Sequence, residues 1–307
     1  MLLPDRAVVS PLLVGRDGEL DFLRATLEST RKGVGQVILV AGEAGVGKSR
    51  LLGEVTRQAR RLGFATCRGC CFEPDTSFPF APIIDGLRAC FFERRPPEVA
   101  RLVEALGSEL VKLVPELGLL LPGVRPSPAL EPQAESRRLF EVLLQFLTRL
   151  AGDGSLLVVF EDLHWADGVS LELARRIPTR PAVALLSYRL GAAGWPADFL
   201  GRLNRERLAT EVVLRPLGPA EVERMVRAIL GSPQRVPPRV LDLLYRLTEG
   251  NPFFIEEALK GWATGGLILR TEAGVEWAPR RDWPFPATSM RPSASGCPGS
   301  APTPGPS

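Results

Sequence analysis

Eight residues near the start of the chain, Gly42-Glu43-Ala44-Gly45-Val46-Gly47-Lys48-Ser49, have the types and spacing needed to hold a polyphosphate. They fit the pattern G-x-x-x-x-G-K-[ST], the P-loop. Glycines let the backbone curl so that successive N–H groups point at phosphate oxygens. The helix that follows adds its positive N-terminal end. Lys48 supplies a compact ammonium to the β- and γ-phosphates, a role that a forked guanidinium would not fill the same way. Ser49 offers a hydroxyl ligand to Mg²⁺, and Arg50 follows it on the same helix. Only Lys32, Lys48, Lys112 and Lys260 are lysines, so a lysine at the one position that requires it is informative.

A second set of groups sits at the end of an apolar run. Leu156-Leu157-Val158-Val159-Phe160 delivers Glu161 and Asp162 to the carboxyl end of a strand, the edge at which parallel sheets bind ligands. One carboxylate can hold Mg²⁺ and the other can orient an attacking water. Glu161 has the position that usually serves the metal, and Asp162 the one that usually polarises water. A solvated strand end would carry such acids too, and the P-loop is what favours the site reading. Arg189, just past another apolar run, is placed to contact a γ-phosphate. His164, the only histidine, could sense that phosphate or simply pack with Trp165.

Cys67-Arg68-Gly69-Cys70-Cys71 contains a C-x-x-C, but Cys90 and Cys297 do not supply the spacing of a zinc or redox site. Buried thiols in a strand are expected there. Five cysteines without a secretory signal argue against a disulfide framework. No Asn-Lys-x-Asp stretch of the guanine-reading kind occurs, so adenine is favoured and the expected ligand is ATP with Mg²⁺.

These groups need a scaffold. The runs 37–41, 64–71, 156–160, 183–186 and 211–214 read as strands, the central ones apolar throughout. They alternate with amphipathic helical patterns, as at 20–27 and at Leu139, Leu143, Leu147 and Leu150. That arrangement predicts an α/β fold: a P-loop NTPase parallel sheet with flanking helices. After Pro216 the pattern turns helical, with stretches at 219–230, 240–247 and 253–262 that predict a small helical lid. A hairpin is expected within 267–277, turning at Ala273-Gly274. The Pro/Ser/Gly-rich tail from 292 is expected to be disordered. With 45% apolar and 24% charged residues, a formal charge of +3 and no run of like charge, the chain favours neither nucleic acid nor membrane surfaces. No apolar run is long enough to span a bilayer, and a cytoplasmic protein is expected.

Taken in order, Leu13-Val14-Gly15-Arg16-Asp17-Gly18-Glu19-Leu20, the P-loop, Glu161-Asp162-Leu163-His164-Trp165-Ala166-Asp167, Ser187-Tyr188-Arg189 and Gly250-Asn251-Pro252-Phe253-Phe254-Ile255-Glu256-Glu257 carry a resemblance. The set resembles the ATPase module of the large ATP-binding LuxR-type regulators and adenylate-cyclase-linked ATPases, in the STAND class of the AAA-like lineage. It covers about residues 11–286. The resemblance implies that Val14, Gly15 and Arg16 line the adenine pocket, that Arg189 is the sensor arginine, and that Pro252 sits in the lid near the adenine. It also implies slow turnover that switches the lid between two arrangements, and possible self-association through the NTPase domain.

The expected organisation is an N-terminal extension at 1–10, the NTPase domain at 11–216 and the lid at 217–265. The start of a winged-helix-like region follows at 266–286, then the tail at 287–307. Relatives of this kind continue into effector domains, so a truncated or frame-shifted product is expected, with no DNA-reading helix of its own. The expected function is a regulatory, slowly hydrolysing ATPase module. The alternatives are an ATP-binding remnant without output, an origin-recognition-like AAA ATPase and, with the least support, a small-molecule kinase.

Overall fold

Apolar runs buried on both faces need cover on both sides, and the chain supplies it with helices. The computed structural model describes residues 8–72, 79–177, 181–191, 197–206, 209–271 and 274–278. The strands are β1 (Gln36–Gly42), β2 (Ala65–Cys70), β3 (Leu156–Glu161), β4 (Ala182–Arg189), β5 (Ala209–Leu214), β6 (Ile268–Thr271) and β7 (Gly274–Trp277). The helices are α1 (Asp17–Arg31), α2 (Lys48–Arg61), α3 (Ala81–Phe92), α4 (Pro96–Val103), α5 (Gly107–Leu113), α6 (Leu117–Leu120), α7 (Pro132–Ala151), α8 (Gly168–Arg176), α9 (Ala197–Arg205), α10 (Pro219–Leu230), α11 (Pro238–Thr248) and α12 (Pro252–Thr264).

The five expected strands form one parallel sheet in the order β2-β3-β4-β1-β5. Cys70 pairs with Glu161 and Phe160 with Leu186, so β3, whose side chains are all buried, is held in register on both sides. The neighbours β3, β4 and β1 end at one edge, and at the end of β1 the chain passes into the glycine-rich loop.

By contact density the chain divides into two compact units. One holds the sheet, with residues Asp21–Ala41 and the described part of Leu52–Val212. Its core joins Val37, Leu39, Phe91, Phe146, Val158, Phe160 and Leu186. Helix α7 turns Leu139, Val142, Leu143, Phe146, Leu147 and Leu150 inward, the i, i+3, i+4 spacing of a single buried face. The other unit gathers residues 8–20, Gly42–Leu51 and the described part of 213–278. Its core joins Val8, Val222, Met225, Val226, Leu244, Ile255, Leu259 and Trp262.

Three prolines start the helices of this second unit, at Pro219, Pro238 and Pro252, where a missing N–H costs nothing. That is why α11 and α12 begin one or two residues before the expected ranges. Strands β6 and β7 pair antiparallel as the expected hairpin. Its turn, the stretch Trp283-Pro284-Phe285-Pro286 and the tail lie outside the described residues. Among the described residues, no helix is long and apolar enough to cross a membrane.

Phe146 is fully buried edge-on to Phe91, with ring centroids 5.6 Å apart. Phe146→Ala is expected to lower unfolding stability by about 3–5 kcal/mol, read from denaturant titration. A loss within experimental error would show that this core is not closely packed.

Candidate functional site

A curled loop that turns its N–H groups inward turns its carbonyls outward, and each carbonyl needs a donor. In the loop 42–49 every carbonyl from Gly42 to Gly47 has one. Lys48 Nζ donates to Gly42 O at 3.0 Å and to Glu43 O at 2.9 Å. Asn251 Nδ2 donates to Ala44 O at 2.9 Å, and Phe253 N to Gly45 O at 3.2 Å. Arg16 Nη2 donates to Val46 O at 3.1 Å, and Leu51 N closes the first turn of α2 on Gly47 O at 3.0 Å. Gly45 and Gly47 adopt φ of +79° and +101°, a region that side chains disfavour. A Cβ on Gly45 would stand 2.7 Å from Phe253 Cβ, whereas one on Gly47 would meet nothing within 4 Å. The loop is therefore packed on one side and open on the other.

Lys48 is 8% exposed, at the first position of α2, with Ser49 and Arg50 in the same turn. Arg50 donates to Ser10 O and lies 3.6 Å from Glu256 Oε1, which also accepts from Ser10 N at 3.0 Å. Burial holds the Glu256 carboxyl above the usual carboxylate range, against the opposing pull of the Ser10 N–H and Arg50.

Arg16, expected by resemblance to line an adenine pocket, is 4% exposed and clamps backbone. Besides Val46 O it bonds Arg215 O at 2.7 Å and Gly15 O at 3.2 Å. Burial lowers its pKa, partly offset by Glu19 and Glu221. Val14 and Gly15 line a cleft of about 510 Å³ together with Leu12, Asp17, Arg224 and Arg227. Gly15 has φ +68°, and an added Cβ would lie 2.6 Å from the Glu221 carboxyl, so only glycine fits there. Pro252 is the first residue of α12, between the Asn251 side chain and the Phe253 N–H that bind the loop.

In the sheet unit, Glu161 is completely buried at the end of β3. Its Oε1 accepts from Arg68 Nε at 2.7 Å and from Arg68 Nη2, while its Oε2 has no hydrogen-bond partner among the described residues. Arg68 stands on the neighbouring strand β2, opposite Val159 and so two residues before the position that pairs with Glu161. Asp162 takes a left-handed φ of 54°, and its N–H donates to Ser187 Oγ on β4 at 3.2 Å. Arg189 is exposed at the end of β4. His164 stacks obliquely on Trp165 at 4.9 Å. Cys67 and Cys90 are buried thiols, and burial pushes the Cys90 thiol up to about 11.

A model of the AAA ATPase domain family matches residues 12–190, more than half of the chain. The chain belongs to this family. Among curated proteins, an uncharacterized protein of Rhizobium meliloti (strain 1021) is 29% identical over 80% of the AAA ATPase chain and 24% of its own length. The hybrid signal transduction histidine kinase G of Dictyostelium discoideum is 27% identical over 56% of this chain and 5% of its own. The chain thus spans a quarter or less of each of these relatives. Among solved structures, the ORC2 protein of Aeropyrum pernix in its ADP form is similar in fold, with a TM-score of 0.53 at 14% identity, covering 86% of this chain and 69% of that one.

Three residues of this AAA ATPase escaped the sequence reading. Arg68 was passed over inside an apparent cysteine motif, and Asn251 and Phe253 were quoted only as part of a motif. Alternation along β2 could have flagged an arginine among apolar neighbours, and an Asn-Pro pair before a helix signals a cap. Neither signal reveals the partner.

Breaking the Arg68–Glu161 pair leaves a buried carboxylate without its cation. Arg68→Met is expected to cost roughly 3 kcal/mol, and Arg68→Met with Glu161→Gln to recover most of it. Equal stability of Arg68→Met and the parent in denaturant would refute the pairing. The raised Glu256 pKa has its own sign: the neutral form is favoured by folding, so that stability is present in acid and lost as pH rises through the folded value. Glu256→Gln is expected to raise the melting temperature at neutral pH but not near about pH 4; a pH-independent shift would count against it.

Proposed function

We propose that this chain is the nucleotide-switched module of a regulatory ATPase, binding ATP with Mg²⁺ through residues 42–50. The observation that carries the reading is the loop itself. Its carbonyls are tied back, its glycines leave one side open, and a buried ammonium stands where the helix of positive N–H ends begins. That surface suits a chain of phosphates. Lys48 and the loop amides would hold the phosphates. Ser49 and Glu161 would each offer an oxygen to Mg²⁺, and the uncommitted Oε2 of Glu161 suits a cation. Bound Mg²⁺ supplies the Lewis acid that draws charge onto the β- and γ-phosphate oxygens. Asp162 would orient water and Arg189 would face the γ-phosphate. Val14 and Gly15 would line the base site, with Arg16 and Pro252 supporting it from the backbone side.

The likeness to a signal transduction kinase and the resemblance to LuxR-type regulators support a regulatory output, with helices α10 to α12 as the lid. The γ-phosphate would act by binding the two lid arrangements unequally. An origin-recognition-like ATPase is the second reading, favoured by the fold likeness to ORC2. It shares the nucleotide chemistry and differs in requiring duplex DNA affinity.

Lys48→Ala is expected to weaken Mg·ATP binding by at least about a hundredfold in a calorimetric titration. Asp162→Asn is expected to keep affinity within about threefold while hydrolysis falls by about 10²-fold or more. A parent chain that fails to bind Mg·ATP at millimolar nucleotide would sink the reading. Nucleotide-dependent retention of duplex DNA would move it to the origin-recognition class.

A further inference from the structure

We propose that Asn251 is a positioning residue for the phosphate loop, and that through it the start of α12 sets the direction in which the loop's N–H groups point. The inference deepens the nucleotide reading and rests on it.

The argument is one of peptide planes. Each peptide is planar and trans, so a C=O held on one side aims the N–H of the next residue to the other. Asn251 Nδ2 on Ala44 O therefore orients the Gly45 N–H. Phe253 N on Gly45 O orients the Val46 N–H in the same way. Both donors belong to the first turn of α12. The Asn251 side chain is engaged at both ends: its Oδ1 accepts from Phe253 N at 3.1 Å as the helix cap, while its Nδ2 reaches the loop. With the residue 5% exposed, neither end has easy access to water. A donor opposite Ala44 O and an acceptor opposite an N–H also settle which way the amide faces.

Two consequences follow. Without the amide, Ala44 O loses its donor, and the 44–45 peptide is free to rotate its N–H out of the cradle. The coupling also runs both ways. A ligand that needs the N–H groups inward favours the position of α12 that holds the carbonyls outward, and the reverse holds by linkage. The Gly-Asn-Pro-Phe stretch is then the part of the helical segment that reads the loop directly.

Serine separates the two tasks of Asn251, because its hydroxyl caps a helix as well as an amide does but carries no reach to Ala44 O. Asn251→Ser and Asn251→Ala are compared with the parent. Hydrogen exchange is followed over residues 42–50 without nucleotide, and binding of ATP, ADP and adenosine is measured with each. The expected result for Asn251→Ser is faster exchange at Gly45 and Val46 and a melting temperature lowered only by the loss of one hydrogen bond. ATP and ADP affinities should fall about tenfold, the worth of roughly one hydrogen bond, with adenosine within about twofold. Asn251→Ala should show the same affinity loss with a melting temperature lower still, because the cap is lost as well. Native exchange in Asn251→Ser would overturn the inference, as would losses of equal size for ATP and adenosine. If the parent itself binds no ATP, the nucleotide reading falls, and the exchange measurement still decides whether Asn251 holds the loop.

Discussion

The constraint on which this structure depends is that a peptide plane cannot point both of its polar groups the same way. A loop built to present N–H groups to an anion must present its carbonyls to something else, and buried carbonyls without donors are costly. The chain meets that demand from four places: Lys48 inside the loop, Arg16 just before α1, and Asn251 and Phe253 at the start of α12. Residues some two hundred positions apart are thereby committed to one turn of backbone. The conformation of the loop is a property of its whole unit, and glycine content alone would leave it undetermined.

Charge is treated differently at the two buried carboxylates of the sheet unit. Glu109 has cations beside both oxygens: Ser127 donates to its Oε1 at 2.8 Å, Arg138 bonds the same oxygen, and Lys112 Nζ lies 3.0 Å from Oε2. Burial pushes its pKa up, and those hydrogen bonds together bring it below the usual range. Glu161 receives a single arginine on one oxygen and keeps the other uncommitted among the described residues. A carboxylate with a cation beside each oxygen is a structural post. One tied on a single side, at the carboxyl end of a central strand, retains a lone pair for a cation. Arg68 keeps the buried charge tolerable while leaving that oxygen available.

The AAA ATPase domain is what this chain shares with its relatives, and the chain spans a quarter or less of each of them. Within this domain, the phosphate loop and a helix start are joined directly. The helix that caps itself with Asn251 also holds the loop, through the two ends of one side-chain amide.

How much of this was legible in the residue order follows from the range of each interaction. The glycine-rich loop, the five strands and the prolines that open α10 to α12 are local patterns, and local patterns are written in consecutive residues. Hence the sheet and the loop chemistry could be read directly. The Arg68–Glu161 pair spans 93 positions and the Asn251–Ala44 bond 207. Such pairs depend on strand register and on which helix start meets which turn. Arg16 and Pro252 show the same limit: motif resemblance brought them to the nucleotide, while the folded chain shows the backbone contacts they make or flank. Sequence by itself determined which groups could bind phosphate, because that chemistry needs only neighbours along the chain. Tertiary structure alone decided which distant donors hold those groups in place, because satisfying a buried carbonyl depends on proximity in space.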